Sequence, residues 1–178
     1  DFVLVHPSAN EDAVVTALAR GAFEYQGQKC SAASRAYLPD NLAASIKKKL
    51  VAAVKTMKMG TTEDFTNFVN AVIDEKSFKS IKSYIDAAKK DKSCKILVGG
   101  KCDASKGWFV EPTVIETTDP KYKTMCEEIF GPVLTIYTFK ADDFEKVCDL
   151  VDSTSEYALT GAVFSQGRYA LEKAMKKL

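Results

Sequence analysis

Residues 2–39 read FVLVHPSANEDAVVTALARGAFEYQGQKCSAASRAYLP. The run Phe2-Val3-Leu4-Val5 is short, apolar and rich in branched side chains, which predicts a buried strand. Ser8-Ala9-Asn10-Glu11 has the S-x-x-E form of a capping box, in which Ser8 would open a helix. Val14, Ala17, Leu18 and Ala22 then share one helical face, so the helix should run from about Ala9 to Tyr25. Gly27 is placed to break it. Arg35-Ala36-Tyr37-Leu38 reads as a second strand, stopped by Pro39. The stretch is therefore a strand–helix–strand unit, with a cysteine in the link before the second strand.

The pattern continues outward. Asp40 or Asn41 can cap a helix in which Leu42, Ile46, Leu50 and Val54 recur every four residues; it should end near Met59-Gly60. Residues 65–72 carry mixed signals and read as loop or broken helix. Asp74 can cap a third helix, with Phe78, Ile81, Ile85 and Ala88 as its apolar stripe. Lys95–Val98 is a short strand closed by Gly99-Gly100. Residues 107–115 are extended, with Pro112 forcing an edge or a bend. Val133–Phe139 is a strong strand, Asp142–Val151 a helix, Leu159–Phe164 a strand and Tyr169–Leu178 a last helix. Such alternation predicts an α/β domain, a mainly parallel sheet flanked by helices, as one unit over residues 1–178. No G-x-G-x-x-G phosphate loop occurs, and Gly99-Gly100 is only a pair.

Composition narrows the classes of function. Apolar residues make up 46% and charged residues 28%, with 25 Lys plus Arg against 24 Asp plus Glu. This near-neutral balance gives no reason to bind nucleic acid or a membrane surface. The lysines at 47–49, 89–90 and 176–177 fall on solvated helix faces. No apolar run approaches the roughly 18 residues that span a bilayer, and no leader is visible at Asp1. Cys30, Cys94, Cys102, Cys126 and Cys148 are odd in number and form no C-x-x-C pair. A disulfide framework or structural zinc is disfavoured, and a reducing compartment is the simpler reading. His6 is the only histidine and reads as the end of the first strand rather than as a catalytic base.

Cys30 stands apart. It follows a predicted helix and Gly27, and it precedes the small residues Ser31, Ala32 and Ala33, which leave room for a substrate. Lys29 and Arg35 could favour the thiolate, the reactive form. A turn there could aim the Cys30 backbone N–H at an oxyanion. By themselves these features fit a buried, small apolar structural cysteine better than a nucleophile.

Two motifs change that. An aromatic residue, then Gly27-Gln28-Lys29-Cys30, a small residue and Ser34-Arg35 resemble the active-site signature of the aldehyde dehydrogenase superfamily. Glu127-Glu128-Ile129-Phe130-Gly131-Pro132 resembles the family's E-E-I-F-G-P motif, at the family's separation from the cysteine. Within the superfamily, Phe23-Glu24-Tyr25, Lys29–Ala32, Ile73-Asp74, Lys76–Phe78, Gly99–Asp103, Val110–Thr113, Val151–Thr154 and Leu159–Ser165 resemble the delta-1-pyrroline-5-carboxylate dehydrogenases.

The resemblance implies NAD-dependent oxidation of L-glutamate γ-semialdehyde to glutamate in proline catabolism. Cys30 would add to the aldehyde, hydride would pass to the nicotinamide, and the thioester would be hydrolysed. Glu128 would hold the nicotinamide ribose, Phe130 would pack at that end of the cofactor, and Ser31 would face substrate. The expected partners are the small aldehyde and NAD, with NADP left open. The family's cofactor domain, general-base glutamate and oxyanion asparagine are expected before Asp1. Its last strand, substrate-carboxylate loop and oligomerisation hairpin are expected after Leu178. The 178 residues alone are thus expected to be an inactive part of the catalytic domain, and the complete enzyme a homo-oligomer. A mitochondrial matrix location is implied for a eukaryotic source, and cytoplasm otherwise. Another aldehyde dehydrogenase, acting on a different semialdehyde or acylating coenzyme A, and a non-catalytic interaction protein of the same fold remain open. So do plain readings in which Glu127 and Glu128 are surface acids, Phe130 is core and Ser31 caps a helix.

Overall fold

The computed structural model describes residues 1–178. Six strands form one sheet, in the spatial order β3-β6-β7-β2-β1-β8. These are β1 (Phe2–Val5), β2 (Arg35–Pro39), β3 (Cys94–Val98), β6 (Thr113–Thr117), β7 (Val133–Phe139) and β8 (Gly161–Phe164). All neighbours run parallel except β3, which is antiparallel to β6. The two remaining strands, β4 (Cys102–Asp103) and β5 (Phe109–Val110), form a small separate hairpin.

A parallel sheet needs cover on both faces, because its crossovers lay helices on it. The side chains sort accordingly, with the period of two that a strand imposes. Val3, Val5, Ala36, Leu38, Leu134 and Ile136 join one core with α1 (Glu11–Phe23) and α2 (Asp40–Lys55). Leu4, Tyr37, Ile115 and Val133 join the other. That second core is completed by α3 (Glu75–Lys90), the short α4 (Lys123–Cys126), α5 (Phe144–Ser153) and α6 (Arg168–Lys177). The predicted stripe of α3 is its buried face: Phe78, Ile81, Ile85 and Ala88. No helix is long and apolar enough to cross a membrane.

Several local expectations are corrected. Asn10, not Ser8, caps α1, its Oδ1 accepting from the Ala13 N–H at 3.0 Å. The Ser8 hydroxyl is engaged elsewhere, with His6 Nδ1 at 2.9 Å, Ser165 Oγ at 3.2 Å and the Gln166 N–H at 3.2 Å. Neither Asp40 nor Asn41 caps α2; the helix starts at Asp40 behind Pro39. The Asp40 carboxylate instead accepts from the Ala141 N–H and pairs with Lys140. Helix α2 ends at Lys55, before the expected Gly60. Residues 56–74 form no helix; a single bridge joins Met59 to Val69. The extended segment is divided at Pro112, which lies between β5 and β6. Helix α5 starts later than expected, behind one 3-10 turn at Ala141–Asp143.

Asp74 caps α3 as expected, its Oδ1 accepting from the Ser77 N–H at 2.7 Å. Asp74→Ala leaves that donor without its partner. It should lower unfolding stability by about 1 kcal/mol, read as a shift in urea midpoint, with Asp74→Ser losing much less.

Candidate active site

Helix α1 stops at Phe23, and the backbone then turns through three consecutive left-handed residues. Tyr25 has φ 54°, Gln26 φ 58° and Gly27 φ 64°. This conformation costs a residue with a Cβ about 1 kcal/mol, so tertiary contacts must hold it. Gln26 is buried, accepting from the Asn70 N–H at 3.0 Å and donating to the Ala71 carbonyl at 3.4 Å. Gln28 Oε1 accepts from the Ile73 N–H at 2.8 Å. At Gly27 no side chain fits: a Cβ would collide with the Gly131 carbonyl oxygen and lie 2.7 Å from that of Ala22.

The chain emerges from this clamp into a turn centred on Cys30 and Ser31, closed by the Ala32 N–H to the Lys29 carbonyl at 3.1 Å. Both residues are exposed, and neither backbone N–H is used within the chain. A thiol with a free N–H on the same residue is the arrangement that nucleophilic attack on a carbonyl needs. Ser31 caps no helix. It lines a depression of about 150 Å³ with Gly21, Ala33, Thr160 and Gly161.

The two expected cations act differently from expectation. Lys29 pairs with Glu24 at 3.0 Å, which also binds Arg20. Arg35 is buried, donating to the Met125 and Val151 carbonyls at 3.3 and 3.4 Å. A guanidinium so placed ties β2 to the ends of α4 and α5, and its charge is not directed at the thiol. His6 is no partner of Cys30 either. It follows the carboxyl end of β1, whereas Cys30 precedes the amino end of the parallel strand β2. Burial lowers the His6 pKa, and its ring stands edge-on to Phe144 at 4.7 Å. The five thiols are free, and burial raises those of Cys102, Cys126 and Cys148. No group of three or more His, Cys, Asp or Glu side chains is arranged to hold a metal ion.

The second motif follows α4. Its two acids differ. Glu127 accepts from the Tyr84 hydroxyl at 2.5 Å, and Lys123 lies 4.6 Å over the Tyr84 ring. Glu128 is exposed, and its carboxylate accepts no hydrogen bond and forms no ion pair. Together with Ser34, Arg35 and Glu127 it lines a narrow crevice. Ile129 is buried, whereas Phe130 is left-handed at φ 55° and 46% exposed, so it is not core. Gly131 is buried against Ile81 of α3 and touches Gly27. A free carboxylate beside an exposed ring fits a ribose followed by a flat heterocycle. Tyr84 and the clamping function of Gln26 were hidden in the sequence, because each acts on a residue far away in the chain.

Two measurements test this geometry. Gly27→Ala places a Cβ against the Gly131 carbonyl at a left-handed residue, so it should destabilise the protein by about 2 kcal/mol or more, read by denaturant titration. The Tyr84 hydroxyl is raised to about 12 by its bond to Glu127 and by burial, since a phenolate would face a carboxylate. A raised pKa contributes stability below the ordinary value of about 10. That contribution is lost as pH rises from there through about 12. Absorbance titration against Tyr84→Phe should locate this phenol, and Glu127→Gln should return it toward its ordinary value.

The Aldehyde dehydrogenase family model matches residues 1–178. The chain is 57% identical over 178 residues to "Delta-1-pyrroline-5-carboxylate dehydrogenase, mitochondrial" of Dictyostelium discoideum, covering 100% of this chain and 32% of that protein. It is 49% identical over 179 residues to the Homo sapiens protein of the same name, with the same coverage. Among solved structures, the Delta-pyrroline-5-carboxylate dehydrogenase from Mycobacterium tuberculosis superposes with a TM-score of 0.93 at 39% identity, covering 100% of this chain and 32% of that one. The 1-pyrroline-5-carboxylate dehydrogenase from Thermus with bound NAD gives 0.91 at 30% identity, covering 99% and 33%. The chain therefore spans about a third of the length of the relatives it matches. It belongs to the aldehyde dehydrogenase family.

Proposed function

We propose that residues 1–178 are part of the catalytic domain of an NAD-dependent dehydrogenase that oxidises L-glutamate γ-semialdehyde to glutamate. The observation that carries this is the exposed Cys30, held on a clamped turn with its own N–H free. The names of the relatives support the substrate.

The Cys30 sulfur adds to the aldehyde carbon, and the carbonyl π pair moves to oxygen. The Cys30 N–H is free to stabilise that oxyanion. NAD, when bound, supplies the acceptor for the hydride that leaves the same carbon. Loss of hydride makes a thioester on Cys30. Water then adds, the carbon–sulfur bond breaks, and the sulfur departs as thiolate with glutamate released. Glu128 accepts hydrogen bonds from the nicotinamide ribose, and Phe130 covers that end of the cofactor. Ser31, beside the nucleophile, faces the substrate. In a eukaryotic source the enzyme works in the mitochondrion, the compartment in the names of the Dictyostelium and human relatives. The complete enzyme is a homo-oligomer.

In the complete enzyme, Cys30→Ser should abolish NADH formation from pyrroline-5-carboxylate, with a loss of about 1,000-fold or more; wild-type turnover would sink the assignment. Glu128→Gln should raise KM for NAD by roughly tenfold, the value of a hydrogen bond to a charged group, with kcat less affected. An unchanged KM would remove Glu128 from the cofactor site.

A further inference from the structure

We propose that Gln26 and Gln28 are positioning residues: their side-chain amides fix the direction in which Cys30 is presented, using residues 69–73 as an anvil. The inference rests on Cys30 being the nucleophile.

Nothing regular supports the chain between the end of α1 and the start of β2. Up to Cys30, the Gln28 N–H to the Tyr25 carbonyl at 3.1 Å and the closure of the Cys30 turn are internal to the loop and shape it without attaching it. Beyond the turn the backbone is fastened, by the Ala33 N–H to the Gly21 carbonyl of α1 at 2.9 Å and by the Ser34 N–H to the Asp1 carbonyl at 3.1 Å. On the near side of Cys30 the attachment comes from two glutamines flanking Gly27. Gln26 uses both ends of its amide, on the Asn70 N–H and the Ala71 carbonyl. Gln28 uses only its oxygen, on the Ile73 N–H; its amide nitrogen takes no partner. Each mimics the rung that a neighbouring strand would supply.

The anvil is itself fixed. Asn70 Nδ2 donates to the Gly60 carbonyl, and the Gly60 N–H donates to the Val69 carbonyl, both at 3.0 Å. Val69 and Val72 are buried, and the Val72 N–H donates to the Trp108 carbonyl at 2.9 Å. Ile73 directly precedes Asp74, the cap of α3. The clamp therefore refers the thiol to α3, and α3 also carries Ile81 under Gly131 and Tyr84 on Glu127. Nucleophile loop and cofactor-acid loop share one reference.

The unequal use of the two amides gives the test. A carboxylate at 28 still accepts from the Ile73 N–H, while a carboxylate at 26 faces the Ala71 carbonyl with no donor. In the complete enzyme, Gln28→Glu should keep kcat within about threefold of wild type, whereas Gln28→Met and Gln26→Glu should lose about tenfold or more, the scale expected for a nucleophile displaced by a fraction of an ångström. KM for NAD should stay within about twofold, because Glu128 lies on the other loop. Rates are compared at the alkaline plateau of the pH profile, where an added charge no longer acts through thiol ionisation. Alkylation of Cys30 by iodoacetamide should fall in parallel in Gln28→Met and not in Gln28→Glu. That reaction needs neither substrate nor NAD, so an error in the proposed substrate leaves it intact, while an unreactive Cys30 in wild type would overturn the proposed nucleophile instead. If Gln26→Glu does not fold, the Gln28 pair decides. Equal plateau rates in Gln28→Met and wild type, or equal losses in Gln28→Glu and Gln28→Met, overturn the proposal.

Discussion

The Cα of Gly27 lies against the carbonyl oxygen of Gly131, and no side chain fits between them. This contact joins the loop that ends in Cys30 to the loop that carries Glu128 and Phe130. Each partner is constrained in turn. Gly27 is left-handed and closes on Ala22, and Gly131 rests on Ile81 of α3. Backbone approach at this distance is a use for which glycine alone is suited. Two stretches about a hundred residues apart thus become one surface, and neither glycine can acquire a side chain without moving a loop.

The sheet explains why these loops meet at all. Strands β2 and β7 are parallel neighbours, with Arg35 opposite Thr135, and the Thr135 N–H donates to the Ser34 carbonyl at 2.9 Å. Cys30 and Phe130 precede that register pair by the same number of residues. Parallel pairing puts the amino ends of both strands on one edge, so whatever leads into them is brought together. His6, at the carboxyl end of β1, falls on the opposite edge.

Much of this was legible in the sequence. Strands and helices followed from periodicity, because each buries one face in one of two cores. Cys30 as the candidate nucleophile was read from motif resemblance. What stayed hidden depends on partners distant in the chain. Ser8 and Asn10 can both cap a helix, and only the arrival of Ser165 and Gln166 takes the Ser8 hydroxyl away. Tyr25 and Gln26 carry no local sign of left-handed backbone, since residues with a Cβ enter it only when tertiary bonds outweigh the cost; the helical reading therefore ran on to Tyr25. Arg35 looked like a cation for the thiol by nearness in sequence. In β2 it alternates with Ala36 and so shares the face of Tyr37, among the ends of α4 and α5. The antiparallel course of β3 likewise had no signature, as an edge strand of five residues reads alike in either direction.

Why the motif carries two acids follows from the backbone between them. Glu127 is extended, with φ −97° and ψ 150°, and successive side chains of extended chain point to opposite sides. When Glu127 turns toward Tyr84, Glu128 must turn away from it. The bond to Tyr84 fastens the loop to α3, which Gly131 also contacts through Ile81. A loop fastened at both points fixes the backbone position from which an unpaired carboxylate reaches out, with no contact to the carboxylate itself. That is the condition for a group that must accept hydrogen bonds from a ligand: a carboxylate already satisfied within the protein would have to exchange partners on binding, and an unanchored one would lose conformational freedom. The first acid of the pair supplies the anchor, so the second can remain free.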